Sequence, residues 1–284
     1  MDGVLLINKE RDWTSRDVCN KVRKLLHVDS TGHTGTLDPF AEGLLIVTIN
    51  NANKIMRYLD DERKTYVASL LLGQKTDTGD LEGKIIEEKD VPQLQKEDLF
   101  KVLNSFKGTI KQVPPMTSAV HHQGRKLYEL YYEGETVERE ARDVEVFEIE
   151  LLDFKDNILS FKAIVGKGTY IRVLGEDIAL KLKTVGHLIS LKRTNIGEWD
   201  LSKSYKMDEI NEGISLISIS DFLTNIPHFR VDEETLKKVK NGMTLYFNEI
   251  NDDRILVVDS NNIAIAIYKK INKDHLYHCE RGLW

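Results

Sequence analysis

Cysteine is nearly absent from this chain: Cys19 and Cys279 are the only two in 284 residues, and they lie far apart. Without a CxxC pair or a Cys/His cluster, neither a disulfide framework nor a zinc site is expected. Long apolar runs are missing too. Stretches such as Gly43-Leu44-Leu45-Ile46-Val47 fall far short of the roughly 18–20 residues that span a bilayer. Met1-Asp2-Gly3 opens no basic segment followed by an apolar one, so a cytoplasmic protein with free thiols is expected. Nucleotide-binding signatures are absent: there is no GxxxxGK[ST] and no GxGxxG spacing. His121-His122 lack the companion ligands of a metal site, and Asp77, Asp80 and Glu82 do not follow the twelve-residue calcium-loop layout. They read as a turn. No cofactor and no metal are expected, and no internal repeat or low-complexity segment is present.

The net charge of −6 argues against a polyanionic partner until its distribution is considered. Residues 76–100 carry eight acids against three bases, and 143–161 carry six against one. Residues 162–197 reverse the balance, with seven bases against two acids. Acidic blocks can therefore face away from a polyanion while a basic face holds its phosphates.

Residues 3–7 and 44–49 read as buried strands, and Thr14 or Ser15 caps a helix whose Val18, Val22, Leu25 and Leu26 share a face. Residues 31–43 read as a Gly/Thr/Pro loop. A strand over 64–72 carries Tyr66, and a helix is expected over 94–106. Val113-Pro114-Pro115-Met116 must be extended. A short helix suits 126–133. Strands at 144–152 and 158–166 join through Asp156-Asn157, and helical spacing covers 168–182. Strands and helices mix without a βαβ rhythm, which favours an α+β fold with a largely antiparallel sheet. Past Pro227 come a short helix over 232–240 and four strand-like runs, suggesting a small all-β appendage. The expected division is residues 1–228 and 229–284.

Chemistry concentrates in Gly32-His33-Thr34-Gly35-Thr36-Leu37-Asp38-Pro39-Phe40-Ala41-Glu42-Gly43. Three glycines, an imidazole and a carboxylate between a helix and a buried strand suit close approach of a substrate, but equally a plain tight loop. This string resembles the catalytic motif GHTGTLDPxAxGxL of the TruB family of tRNA pseudouridine synthases. Other segments resemble the family's landmarks in order: Lys9 with Thr14-Ser15, Lys64-Thr65-Tyr66, Thr76-Asp77-Thr78-Gly79-Asp80, Gln112-Val113-Pro114-Pro115 with Ser118-Ala119, Gly168-Thr169-Tyr170-Ile171-Arg172, and Leu191-Lys192-Arg193-Thr194. Together they span residues 3–197. Glu10 and Asp12 stand where the family usually has Pro and Gly, and Val165-Gly166 where Cys-Ser is common.

The resemblance implies a pseudouridine synthase fold, with a central mixed, mainly antiparallel sheet flanked by helices and a small C-terminal PUA-like β domain. It implies isomerisation of the T-loop uridine at position 55 of tRNA. Asp38 would be the catalytic nucleophile, Arg172 would hold and orient its carboxylate, and Tyr66 would stack on the base and exchange a proton. Whether Asp38 attacks C1′ or starts a sugar elimination stays open at this point. Tyr170 and Leu191 would line the base pocket, His33 would contact RNA where the base leaves its stack, and Lys9 would reach a phosphate. The partner is tRNA through its T-stem-loop, with no membrane, no obligate protein partner and a monomeric enzyme. Removing the C-terminal part is expected to weaken binding more than chemistry. Two rivals remain: an RNA chaperone that has lost catalysis, and a carboxylate-dependent nucleoside hydrolase, which would need a second acid as proton donor.

Overall fold

The computed structural model describes residues 1–59, 63–247, 250–271 and 275–284. The first strand, β1 (Gly3–Lys9), leads into α1 (Ser15–Leu25). Thr14 caps α1 by accepting from the Asp17 N–H, and Asp17 returns the bond to the Thr14 N–H. β2 (Thr31–Thr34) and β3 (Glu42–Ile49) flank the Asp38 loop. Residues 31–34 are thus a strand, not loop: Thr31 pairs with Ile49 and Thr34 with Ile46. After a 3-10 segment at Asn50–Tyr58 come β4 (Lys64–Leu72), the hairpin β5 (Gln74–Thr76) and β6 (Ile85–Glu88), and α2 (Lys96–Asn104). β7 (Gly108–Gln112) precedes the excursion 113–141, which holds β8 (His121–His122), β9 (Arg125–Lys126) and α3 (Leu127–Tyr132). The long strands β10 (Arg142–Lys155) and β11 (Ile158–Val165), then α4 (Ile171–Lys181), β12 (Gly186–Ile196) and β13 (Trp199–Asp200), complete the large unit.

The main sheet runs β1-β3-β12-β4-β11-β10-β7, with β2 beside β3 and β13 beside β12. Every pairing is antiparallel except the short β3–β12 contact, where Lys192 meets Glu42 and Arg193 meets Gly43. The sheet is therefore mixed and mainly antiparallel. β1 and β3 read as unbroken apolar runs because both faces are covered. Leu5, Ile7, Leu45 and Val47 pack under α1, while Val4, Leu6, Leu44 and Ile46 face a separate C-terminal layer. β4 and β11 alternate instead. Tyr66, Ala68, Leu70 and Leu72, and Leu159, Phe161, Ala163 and Val165, point to the face where α2 and α4 bury Leu99, Leu103, Leu174 and Ile178.

The C-terminal layer follows α5 (Ile219–Phe222) and consists of β14 (His228–Arg230), α6 (Glu233–Lys240), β15 (Leu245–Tyr246), β16 (Arg254–Val258), β17 (Ala264–Lys270) and β18 (Leu276–Gly282). Its sheet order is β14-β16-β17-β18-β15. Leu256, Val258, Ile267 and Leu283 pack into one core with Val4, Leu6, Leu44 and Ile46. At the rim, Glu280 accepts from Arg254 Nε at 2.8 Å and lies 3.6 Å from Arg57 of the large unit. Among the described residues no helix is long and apolar enough to cross a membrane, and no group of three or more acids, histidines or cysteines is placed to hold a metal.

Candidate active site

The loop between β2 and β3 is shaped by what it buries. Leu37 and Phe40 sink into the core beside Tyr66 and Leu191, at 3% and 0% exposure. Anchoring the residues on both sides of Asp38-Pro39 leaves the Asp38 side chain between them 32% exposed. Ser15, at the start of α1, accepts from the Leu37 N–H at 2.9 Å and donates to the Leu37 carbonyl at 3.2 Å. The Pro39 carbonyl accepts from the Asp12 N–H at 3.0 Å. Asp12 adopts φ 68°, a left-handed conformation that glycine favours and aspartate tolerates. The aspartate thus takes a backbone conformation that a glycine would adopt without strain.

Arg172, in the first turn of α4, grips Asp38 with both ends of its fork: Nε to Oδ2 at 2.9 Å and Nη2 to Oδ1 at 3.1 Å. Its remaining donors go to the Thr78 carbonyl at 2.8 Å and to the hydroxyl and carbonyl oxygens of Thr117 at 2.5 and 3.2 Å. Asp80 adds a second carboxylate 3.7 Å away. Arg172 is 4% exposed, so its orientation is held from behind while Asp38 faces outward. Two carboxylate oxygens accepting from one guanidinium match the ionised form of Asp38. Burial pushes the Asp38 carboxyl above the ordinary aspartate range, Arg172 pulls it back, and the neighbouring Asp80 pushes it up again.

Tyr66 is buried on β4, opposite Arg193 on β12 in the strand register. Tyr170 is the N-cap residue of α4, and the buried Gln112 amide holds its backbone from both sides. Its oxygen accepts from the Tyr170 N–H at 3.0 Å and its nitrogen donates to the Tyr170 carbonyl at 3.3 Å. A cleft of about 490 Å³ is lined by Thr34, Gly35, Lys64, Arg142, Lys167 and Tyr170 among others. Leu191 is 5% exposed beneath the loop. His33, on β2, has a buried Nδ1 without a partner. Burial first, then Arg193 and Arg16, hold its imidazole below the usual histidine range, which favours the neutral ring.

Lys9 departs from expectation. It does not reach outward to a phosphate: it is fully buried, and Nζ donates to the carbonyls of Glu10, Trp13 and Pro39 at 2.9, 2.7 and 3.1 Å. Burial lowers its ammonium to about 8 against the pull of Asp38. Its function here is to support the loop from below. Sequence reasoning also missed Asp80, Thr78 and Thr117 as holders of Arg172, since the 76–83 stretch reads as a turn and two of the contacts are to backbone carbonyls.

With this geometry in place, known proteins are informative. The model for the TruB family pseudouridylate synthase N-terminal domain matches residues 23–171. The chain is 39% identical over 288 residues to the tRNA pseudouridine synthase B of Bacillus pumilus (strain SAFR-032), covering 95% of this chain and 93% of that protein. With the protein of the same name from Francisella tularensis subsp. novicida (strain U112) it shares 40% over 285 residues, covering 96% and 94%. This chain belongs to the TruB family. Solved structures agree on the fold. A Cbf5-Nop10-Gar1 complex matches at TM-score 0.74 and 21% identity, covering 99% of this chain and 85% of that one. An H/ACA RNP bound to a substrate RNA containing 2′-deoxyuridine matches at 0.73 and 20%, covering 99% and 85%. The TruB-family fold here is a mixed-sheet pseudouridine synthase unit with a PUA-like C-terminal sheet, and the chain is a pseudouridine synthase.

Proposed function

We propose that this TruB-family protein isomerises the T-loop uridine at position 55 of tRNA, in the cytoplasm and as a monomer, with Asp38 as its nucleophile. The observation that carries this reading is the Asp38–Arg172 pair. One partner is locked and buried, and the other is held by both carboxylate oxygens while keeping 32% of its side chain exposed. An oriented carboxylate of this kind can take up or stabilise an electrophilic C1′ as the N1–C1′ bond breaks. The detached uracil turns over, C5 bonds to C1′, and the C5 proton leaves while N1 gains one. The reaction is redox-neutral.

Tyr66 lies close enough to the same loop to stack on the base and relay that proton. A neutral His33, with its free Nδ1, suits the space a base leaves when it flips out of its stack. Tyr170 lines the cleft, and Leu191, packed beneath the loop, would meet the base once it enters. The division at residues 1–228 and 229–284 fits this reading, with the small unit contacting RNA away from the T-loop. Recognition is by stem-loop shape, because the A-form major groove is closed to side chains.

The test is an isolated T-stem-loop RNA beside an unpaired RNA of the same composition, and free uridine. Pseudouridine mapped to the T-loop position in the stem-loop alone supports the proposal. Release of free uracil, or equal reaction with free uridine, would favour a hydrolase. Tight binding of the stem-loop without any conversion would favour the chaperone.

A further inference from the structure

Arg193 is the largest fully buried side chain among the described residues. A guanidinium so placed is ordinarily held by a carboxylate. None lies within ion-pair distance of Arg193 among the described residues. Its donors go elsewhere. Nε donates to the Leu44 carbonyl at 2.8 Å, Nη2 to the Gly35 carbonyl at 3.0 Å, and Nη1 reaches the Tyr66 phenol oxygen at 3.5 Å.

These three acceptors describe a clasp. Gly35 opens the Asp38 loop and Leu44 follows it, so one side chain ties the loop at both ends. The Arg193 backbone reinforces this from β12: a Cβ on Gly43 would stand 2.3 Å from the Arg193 carbonyl oxygen. The third donor faces the lone pairs of the Tyr66 oxygen, which leaves the phenolic O–H free to point elsewhere. The planar fork, with its donors in fixed directions, reaches all three acceptors at once. A lysine in its place would keep the charge and lose that simultaneous geometry.

We propose that Arg193 is a positioning residue for the isomerisation: it fixes the ends of the Asp38 loop and orients the Tyr66 phenol, so that carboxylate and phenol face one uridine. This rests on the roles given above to Asp38 and Tyr66. Positioning of this kind acts on the chemical step more than on RNA affinity, because the RNA does not touch a buried guanidinium. Misplacement of a reacting group by about an ångström costs on the order of a hundredfold in rate.

The experiment is a single-turnover measurement on a T-stem-loop RNA at saturating enzyme, for the wild type, Arg193→Lys, Tyr66→Phe and the double variant, with Asp38→Asn alongside. With enzyme in excess the RNA is limiting, so a partly unfolded preparation gives the same rate constant as long as its folded fraction still saturates the RNA, and a purely structural defect is separable. The expected result is an Arg193→Lys rate constant down by about thirtyfold or more with RNA affinity within about threefold of wild type. In the Tyr66→Phe background the same substitution should cost visibly less, since coupled residues are not additive. An Arg193→Lys rate within about twofold of wild type, an equal fold-loss in both backgrounds, or weakened RNA binding alone would overturn the assignment. Inactive Asp38→Asn beside a fully active Arg193→Lys would discard only the role of Arg193. An active Asp38→Asn would discard the reading on which it rests.

Discussion

At the scale of single residues, the site is a set of charges held by groups that themselves cannot move. Arg172 spends every donor on fixed acceptors, so its grip on Asp38 leaves one way for the carboxylate to point. Because burial raises the Asp38 carboxyl and the proposed reaction needs it ionised, activity should fall on acidification at a higher pH than an exposed aspartate would give. A pH–rate profile checks this; an acid limb at or below the ordinary aspartate range would contradict it. Tyr66→Phe should bind tRNA like the wild type and turn over slowly, whereas full activity would reduce Tyr66 to a stacking platform. Lys9 carries a stability signature instead. Its ammonium sits at about 8 rather than 10.5. Below about 8 folded and unfolded chains both hold the proton, and the buried charge costs stability in full. Between there and 10.5 only the unfolded chain holds it, so the folded state gains as pH rises. Wild type should therefore gain on the order of 3 kcal/mol relative to Lys9→Met across that window. Chemical denaturation of both at several pH values is the check, and parallel curves would contradict it.

At the scale of elements, the site depends on how closely the backbone at the end of the loop approaches β12. Gly43 has φ 104°, and a Cβ there would collide with the Arg193 backbone. Gly43→Ala should cost about 2 kcal/mol or more and slow turnover along with it; an unaltered melting temperature would contradict the close approach. β12 itself was illegible in the sequence for a physical reason. Its register shifts at Leu188/Ser190 and Arg193/Asn195 break the strict alternation that exposes β4 and β11 to a period-two reading. β2 escaped too, because Thr31-Gly32-His33-Thr34 has turn composition and owes its extended form to pairing with β3. The capped α1, the alternating β11 and the turn at Asp156-Asn157 were legible because each depends on neighbours in sequence. The Asp38–Arg172 pair depends on residues far apart in the chain and was reachable only through the family motifs. Arg193 and Thr117 act through carbonyls and strand register, which leave no local mark. The excursion 113–141 shows the same division. Its small core of Met116, Leu127 and Leu130 is local, whereas its tie to the site runs from Thr117 to Arg172 and from the Tyr131 hydroxyl to Asp77 at 3.1 Å.

At the scale of the whole molecule, the C-terminal sheet is more than an appendage. Leu256, Val258, Ile267 and Leu283 share a core with the strands that frame the Asp38 loop. Removing residues 229–284 would uncover Leu44 and Ile46, so truncation is expected to destabilise the large unit besides weakening RNA binding. The intact chain should unfold in one cooperative transition, and two well-separated calorimetric transitions would contradict the shared core. The basic run 162–197 and the acidic blocks 76–100 and 143–161 give the molecule an uneven charge that a net value of −6 conceals. The central claim concerns Asp38 acting on a whole tRNA. It is tested most directly with an unmodified transcript carrying tritium at C5 of its uridines, given at saturation to wild type and to Asp38→Asn. Wild type should release the label of one T-loop uridine per tRNA, while Asp38→Asn binds equally and reacts at least about a thousandfold more slowly. Release by Asp38→Asn at a rate near that of wild type would contradict the account.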